Sequence, residues 1–186
     1  MSDTPLQLIL RAADFAADHH RTQTRKGVGK LPYINHPLEV SHMLAEVAGV
    51  TDPEVLAAAL LHDTVEDTDA TPDDILQGFG PRVAALVAEV TDDKTLPKAE
   101  RKRLQIVHSA RLSPEAGTIK IADKIANVRD LVRDPPSDWP HARLVAYLDW
   151  AEAVVDGIDG APPALLAAFA EAIAEGRAAL TGGETG

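Results

Sequence analysis

The chain has 186 residues, with 29 Asp and Glu against 18 Lys and Arg, for a formal net charge of −11. That balance argues against a surface built to coat nucleic acid. The absence of Cys excludes disulfides and thiolate metal ligands, and the length allows one well-filled core but not two ordinary domains. No apolar stretch is long enough to span a bilayer, and the N-terminal MSDTPLQLIL lacks the basic region of a signal peptide, so a cytoplasmic location without a membrane partner is expected.

Apolar residues recur at three- and four-residue steps and no sustained period-two run occurs, which predicts an all-α, single-domain helical bundle. In chain order the spacing predicts helices over 7–21, 37–48, 53–66, 72–77, 81–90, 98–110, 114–131, 139–157 and 163–180. Several starts carry Pro behind a capping residue, as in Asp52-Pro53, Thr71-Pro72 and Ser113-Pro114. Residues 27–30 can form either a short hairpin or a plain loop, and 90–97 a flap. The expected single domain spans 1–186, with a core of about 7–157, an Ala-rich packing helix at about 163–180 and a frayed end over 181–186.

The most informative run is His62-Asp63-Thr64-Val65-Glu66-Asp67, which closes the apolar segment that begins near Val55. Adjacent imidazole and carboxylate suit a divalent cation such as Mn²⁺, Fe²⁺ or Zn²⁺. In a continuous helix Glu66 lies one turn beyond His62, and Asp67 one turn beyond Asp63. Acidic residues near a helix C-terminus oppose the macrodipole and need another reason to be there. His36, in Pro32-Tyr33-Ile34-Asn35-His36-Pro37, fits the same centre from a loop-to-helix junction. Asp123, in an apolar helical stretch, needs a cation to offset its burial. His36, His62, Asp63 and Asp123 then form a two-His, two-carboxylate metal site with positions left for water or a substrate oxygen.

The few cations are grouped. Arg21, Arg25, Lys26 and Lys30 precede His36, while Lys94, Lys98, Arg101, Lys102 and Arg103 follow the HDTVEDT segment. A metal with local basic patches suits a small polyphosphate, although solvated helix faces give the second cluster equally well. His19, His20, His42, His108 and His141 are read as surface or partly buried imidazoles. No Gly-rich phosphate loop or nucleophile elbow occurs.

The order of HRTQTRKG (20–27), PYINHP (32–37), AALLHDTVEDT (58–68), EVTDDKTLPKAERKRLQ (89–105) and KIADKIANVRDL (120–131) resembles the hydrolase domains of RelA/SpoT proteins in the HD phosphohydrolase superfamily. It looks most like the stand-alone small alarmone hydrolases, the group that includes the metazoan SpoT homologue. The resemblance covers about residues 12–150, and the chain has no room for a following synthetase domain.

This resemblance implies a metal-dependent 3′-pyrophosphohydrolase with Mn²⁺ as the expected cation and a small nucleotide polyphosphate as partner. Glu66 and Asp67 would handle the attacking water and the leaving group. Carried over by motif position, Arg25 would lie against the purine, Lys26 near phosphate, Asn127 near the ribose or base, and Tyr147 near the terminal phosphates. Relatives carry a larger side chain where this chain has Ala126, which raises the expectation that Ala126 borders the nucleoside pocket and affects purine choice. The implied substrates are (p)ppGpp, with (p)ppApp as an alternative. NADPH 2′-phosphatase activity at the same site and a catalytically silent alarmone sensor are the other readings. Oligomeric state stays open.

Overall fold

The computed structural model describes residues 3–182. Within them the chain forms α1 (Pro5–His19), α2 (Asn35–Glu46), α3 (Pro53–Leu61), α4 (Thr64–Asp67), α5 (Pro72–Phe79), α6 (Pro81–Val90), α7 (Lys98–Ser109), α8 (Pro114–Arg133), α9 (His141–Val155) and α10 (Pro163–Gly182). Capping chemistry sets many of the starts. Thr4 and Thr71 form reciprocal capping boxes with Gln7 and Asp74, while Asp52 and Ser113 accept from the first turns of α3 and α8. Pro at the first helical position costs nothing there, because its missing N–H would have had no intrahelical partner.

The bundle is organised around α8. It packs against α2, α6, α9 and α10, and its stretch from Ala116 to Ala126 is buried apart from the partly exposed Lys120. α3 is covered by α1, α2 and α6. Leu44, Leu61, Ile119 and Ile125 are wholly enclosed; each contributes about 1.5–3 kcal/mol by leaving water. One break in this apolar interior is the seam between α2, the α3–α4 junction and α8, where His36, His62 and Asp123 are buried. Among the described residues no helix is long and apolar enough to cross a membrane.

The expected helix over 53–66 is broken. α3 stops at Leu61 and Asp63 sits at φ −100°, ψ −7° before α4 begins at Thr64. Side chains take over the freed carbonyls: the Thr64 hydroxyl donates to Leu61 O at 2.7 Å and His62 Nδ1 donates to Ala59 O at 2.7 Å. Glu66 and Asp67 therefore ride on a separate short helix; Asp67 keeps its one-turn relation to Asp63, with Asp67 N–H donating to Asp63 O at 2.8 Å, while the helix that would join His62 to Glu66 is broken.

Other boundaries differ by a few residues. α5 continues to Phe79 because the stop is Gly80, at φ 87°, a conformation glycine adopts without strain. α9 begins at His141, behind Pro140. Thr181 and Gly182, expected to fray, extend α10, while the rest of the expected frayed end, 183–186, lies outside the described residues. The 27–30 segment is the tip of a short hairpin with an isolated antiparallel bridge between Thr24 and Pro32. Arg25 N–H donates to Leu31 O at 2.8 Å and Tyr33 N–H to Gln23 O at 3.0 Å. The hairpin docks on the end of α8, where Gly29 N–H donates to the Asp134 carboxylate at 3.0 Å. A Cβ at Gly27 would stand 2.0 Å from that carboxylate, so only glycine allows the approach.

Candidate active site

The three buried polar residues of the seam converge with Asp63. His36 Nε2 lies 3.2 Å from Asp123 Oδ1 and 3.5 Å from Asp63 Oδ2; His62 Nε2 lies 3.1 Å from Asp63 Oδ2 and 3.8 Å from Asp123 Oδ1. His36, His62 and Asp123 bring their ligand atoms within 4.8 Å of one another. The bond to Ala59 O takes the His62 Nδ1 hydrogen and leaves Nε2 facing the carboxylates. His62 Nε2 and both ring nitrogens of His36 are buried without a hydrogen-bond partner. Bare imidazole nitrogens aimed at carboxylate oxygens need positive charge between them. Burial disfavours charge on His62, but Asp63 and Asp123 outweigh it and hold its pKa up at about 10. Burial is likewise overcome at Asp63 by His62 and at Asp123 by Lys124, so both carboxyls stay well below their usual range. Two nitrogen and two oxygen donors around one point fit a divalent cation.

Next to this cluster, Tyr33 OH donates to Asp63 Oδ2 at 2.7 Å and to Asp67 Oδ2 at 3.1 Å, tying the cluster to α4. Burial, then the two carboxylates, push the phenol pKa far upward, so Tyr33 stays a donor. Lys94 pairs with Asp67. Glu66 accepts from Asp92 N–H at 3.0 Å and lies 3.4 Å from Arg101 Nη1. Burial raises the Glu66 pKa against the opposing Asp92 hydrogen bond. A carboxyl group so placed can hold or release a proton nearer neutral pH than an exposed one.

These groups open into a cleft of about 370 Å³ lined by Asp63, Glu66, Asp67 and Asp123 at one end and by Lys98, Lys102, Trp139 and Arg143 at the other. Lys102 Nζ stands 4.3 Å from the Trp150 ring centre and the Arg143 guanidinium 4.0 Å from that of Trp139. Burial first, then Lys98, Lys124 and Arg143, lower the Lys102 pKa to about 8. Crowded cations packed on aromatic rings form a receptor for a polyanion.

Residues 12–146 match the family model described as HD domain. The chain belongs to the HD domain family. Human guanosine-3′,5′-bis(diphosphate) 3′-pyrophosphohydrolase MESH1 is 55% identical over 152 residues, 82% of this chain and 85% of that protein. The enzyme of that activity name from Aquifex aeolicus is 43% identical over 127 residues, 66% of this chain and 18% of the longer protein. Among solved structures, one described as a metazoan ortholog of SpoT that hydrolyzes ppGpp matches with a TM-score of 0.89 at 45% identity, covering 94% of this chain and 98% of that one. The Listeria monocytogenes protein lmo0812 matches with a TM-score of 0.64 at 33% identity, covering 76% and 93%. The resemblance read from motif order is thus borne out.

On this HD domain the ten residues singled out from sequence meet at one place. Arg25, Lys26, Asp63, Glu66, Asp67, Asp123, Asn127 and Tyr147 line the cleft, with His36 and His62 buried behind it. Arg25 is held over the Tyr33 ring, 5.3 Å from its centre, by bonds to Asp130 (2.8 Å) and Asn127 (2.6 Å). Asn127 in turn donates to Asp123 Oδ1 at 2.5 Å. Of the grouped cations, Lys94, Lys98, Arg101 and Lys102 border the cleft. Arg103 pairs with Glu100, and Arg21 with Asp18, on the outside.

The expectation for Ala126 is overturned. It is 0% exposed, belongs to the hydrophobic core and does not line the cleft that Asp123 and Asn127 border. Sequence reasoning also gave no role to Tyr33, Lys120 or Lys124. The last two had a legible signal: Lys120, Asp123, Lys124, Asn127 and Asp130 recur at three- and four-residue steps, a polar stripe on a helix otherwise apolar. His20 is more than a surface imidazole. It is buried, stacks on Tyr33 with ring centres 4.6 Å apart, and bonds Gln23 at 2.7 Å.

Proposed function

We propose that this HD domain is a metal-dependent 3′-pyrophosphohydrolase of nucleotide alarmones. It releases pyrophosphate from (p)ppGpp, (p)ppApp or both, and leaves GDP or GTP, ADP or ATP. The observation that carries this reading is the pairing of a four-donor cluster at the back of the cleft, flanked by Glu66 and Asp67, with a cationic, aromatic far end. The activity names of the human and Aquifex relatives support it.

His36, His62, Asp63 and Asp123 would hold the cation, with Mn²⁺ preferred for a mixed imidazole and carboxylate set. When bound, it supplies positive charge that polarises a phosphoryl oxygen and acidifies water. Glu66, with its raised pKa, takes the proton from the attacking water. Asp67, held by Tyr33 and Lys94, orients that water and manages the proton at the leaving 3′ oxygen. The flat Arg25 guanidinium offers a stacking face to the purine, and Lys26 meets phosphate. Asn127, bonded to both Arg25 and Asp123, fixes the nucleoside relative to the cluster. Burial, opposed by Lys124, pushes the Tyr147 phenol up to about 12, so it donates to phosphate across the neutral range.

The test is a product assay of the Mn²⁺-loaded protein with ppGpp, ppApp and NADPH side by side. Pyrophosphate from the alarmones is expected. Release of single phosphate from ppGpp would contradict the bond cleavage, and activity on NADPH alone would replace it with the 2′-phosphatase reading.

A further inference from the structure

The segment between α6 and α7, residues 91–97, is a thin wall. One side faces the cleft just described. The other faces a second cavity of about 190 Å³, and Asp92, Arg101, Gln105 and Lys120 border both. Backbone bonds within the segment amount to a turn, Leu96 N–H to Asp93 O at 3.1 Å, with Thr91 N–H continuing α6 by bonding Val87 O. Neither aims the N–H of Asp92, yet that N–H holds one oxygen of Glu66 at 3.0 Å.

Two side chains supply the missing constraint. Gln105 Nε2, on α7, donates to Asp92 Oδ2 at 2.5 Å, and Lys120 Nζ, on α8, donates to Val90 O at 2.9 Å at the root of the wall. The Gln105 tie has a cost that an apolar bundle would avoid. Gln105 Oε1 is buried without a partner, as is Nε of Arg101, whose Nη1 lies against Glu66. Leu or Met at 105 would fill the same space without that cost.

We infer that Gln105 is a positioning residue for Glu66, acting through Asp92: its amide holds the Asp92 side chain, which fixes the backbone N–H that orients the Glu66 carboxylate toward the cleft. Gln105 touches neither the four-donor cluster nor the cationic end of the cleft, so its effect falls on turnover and not on substrate capture. This rests on the reading of Glu66 as the water-handling group.

The test uses Mn²⁺-loaded protein with ppGpp. Gln105→Met keeps shape and removes the donor; it is expected to lower kcat about 10- to 100-fold, the scale for groups that orient a reactive residue from behind. KM, metal content and far-UV circular dichroism stay at wild-type values. Asp92→Ala breaks the same hydrogen bond from the other end and is expected to give the same loss, which covers the case of a misfolded Gln105→Met. Asp92→Asn, which keeps an acceptor for the Gln105 amide and keeps the N–H, is expected to recover most of the kcat lost in Asp92→Ala. In a Glu66→Gln background, Gln105→Met adds no further loss, because the two act as one unit. A wild-type kcat in both Gln105→Met and Asp92→Ala, beside a slow Glu66→Gln, overturns the inference alone, as does a full additional loss in the double variant. A Glu66→Gln protein as fast as wild type overturns both the inference and the reading beneath it.

Discussion

The two ends of the cleft are built by opposite rules. At the His62 end each candidate reactive group is buried or half-buried and held by a neighbour: His62 by Ala59 O, Asp63 by Tyr33, Asp123 by Lys124 and Asn127, and Glu66 by Asp92. At the Trp139 end, Lys98 and Arg143 are exposed, and they and Lys102 pack on rings instead of on carboxylates. A rigid, low-dielectric cluster fixes charge where bonds change. A cationic, more accessible end gathers a polyanion but cannot place an atom to within a fraction of an ångström. Under the proposed function, that difference places chemistry at one end and affinity at the other.

The comparison breaks most visibly at the cluster. His62→Ala and Asp63→Asn are each expected to release the cation and bring hydrolysis to background while the helical circular dichroism spectrum persists. Full Mn²⁺ occupancy with full activity in Asp63→Asn would remove that residue from the site. Asp123→Asn carries an added penalty, since Lys124 is only 3% exposed and its ion pair with Asp123 is lost. Breaking such a pair costs about 3–5 kcal/mol, visible as a lowered Tm.

Glu66→Gln separates water handling from cation holding. A loss of roughly 10²- to 10⁴-fold in single-turnover rate is expected, with metal content and ppGpp affinity retained. Loss of the metal in this variant would move Glu66 into the donor set.

The cationic end should respond in KM. Arg143→Ala and Lys102→Ala each remove a charged contact to phosphate and are expected to raise KM about tenfold or more, with kcat nearly unchanged. The effect should shrink in high salt, as screening acts on exposed charges. A kcat defect equal to the one in Glu66→Gln would erase the division between the two ends.

The smallest effect is a pH dependence confined to that end. The Lys102 pKa is lowered to about 8, so its charge is present below that pH and lost above it. For wild type, 1/KM should fall as pH rises through about 8, whereas Lys102→Arg, which stays charged, should lose that basic limb and leave the acidic limb alone. Identical profiles would show that Lys102 does not meet the phosphates.

The sequence by itself supplied the four candidate metal donors and the Pro-led starts of an all-α fold, because donor identity and capping are local properties; Arg25, Lys26, Asn127 and Tyr147, and the roles of Glu66 and Asp67, entered as candidates through motif resemblance. Tertiary structure decided what depends on direction. Whether an α8 residue faces the cleft or the core is set by packing, which turned Ala126 inward and Lys120 and Lys124 toward the site. The break after Leu61 was illegible for the same reason: a continuous helix is locally favourable, and it is the bonds of Thr64 and His62 to α3 carbonyls, with Asp63 drawn between two imidazoles, that end it there. Gln105 closes the 89–105 motif, but its part was illegible there, since it is set by a loop that only the folded chain brings against it.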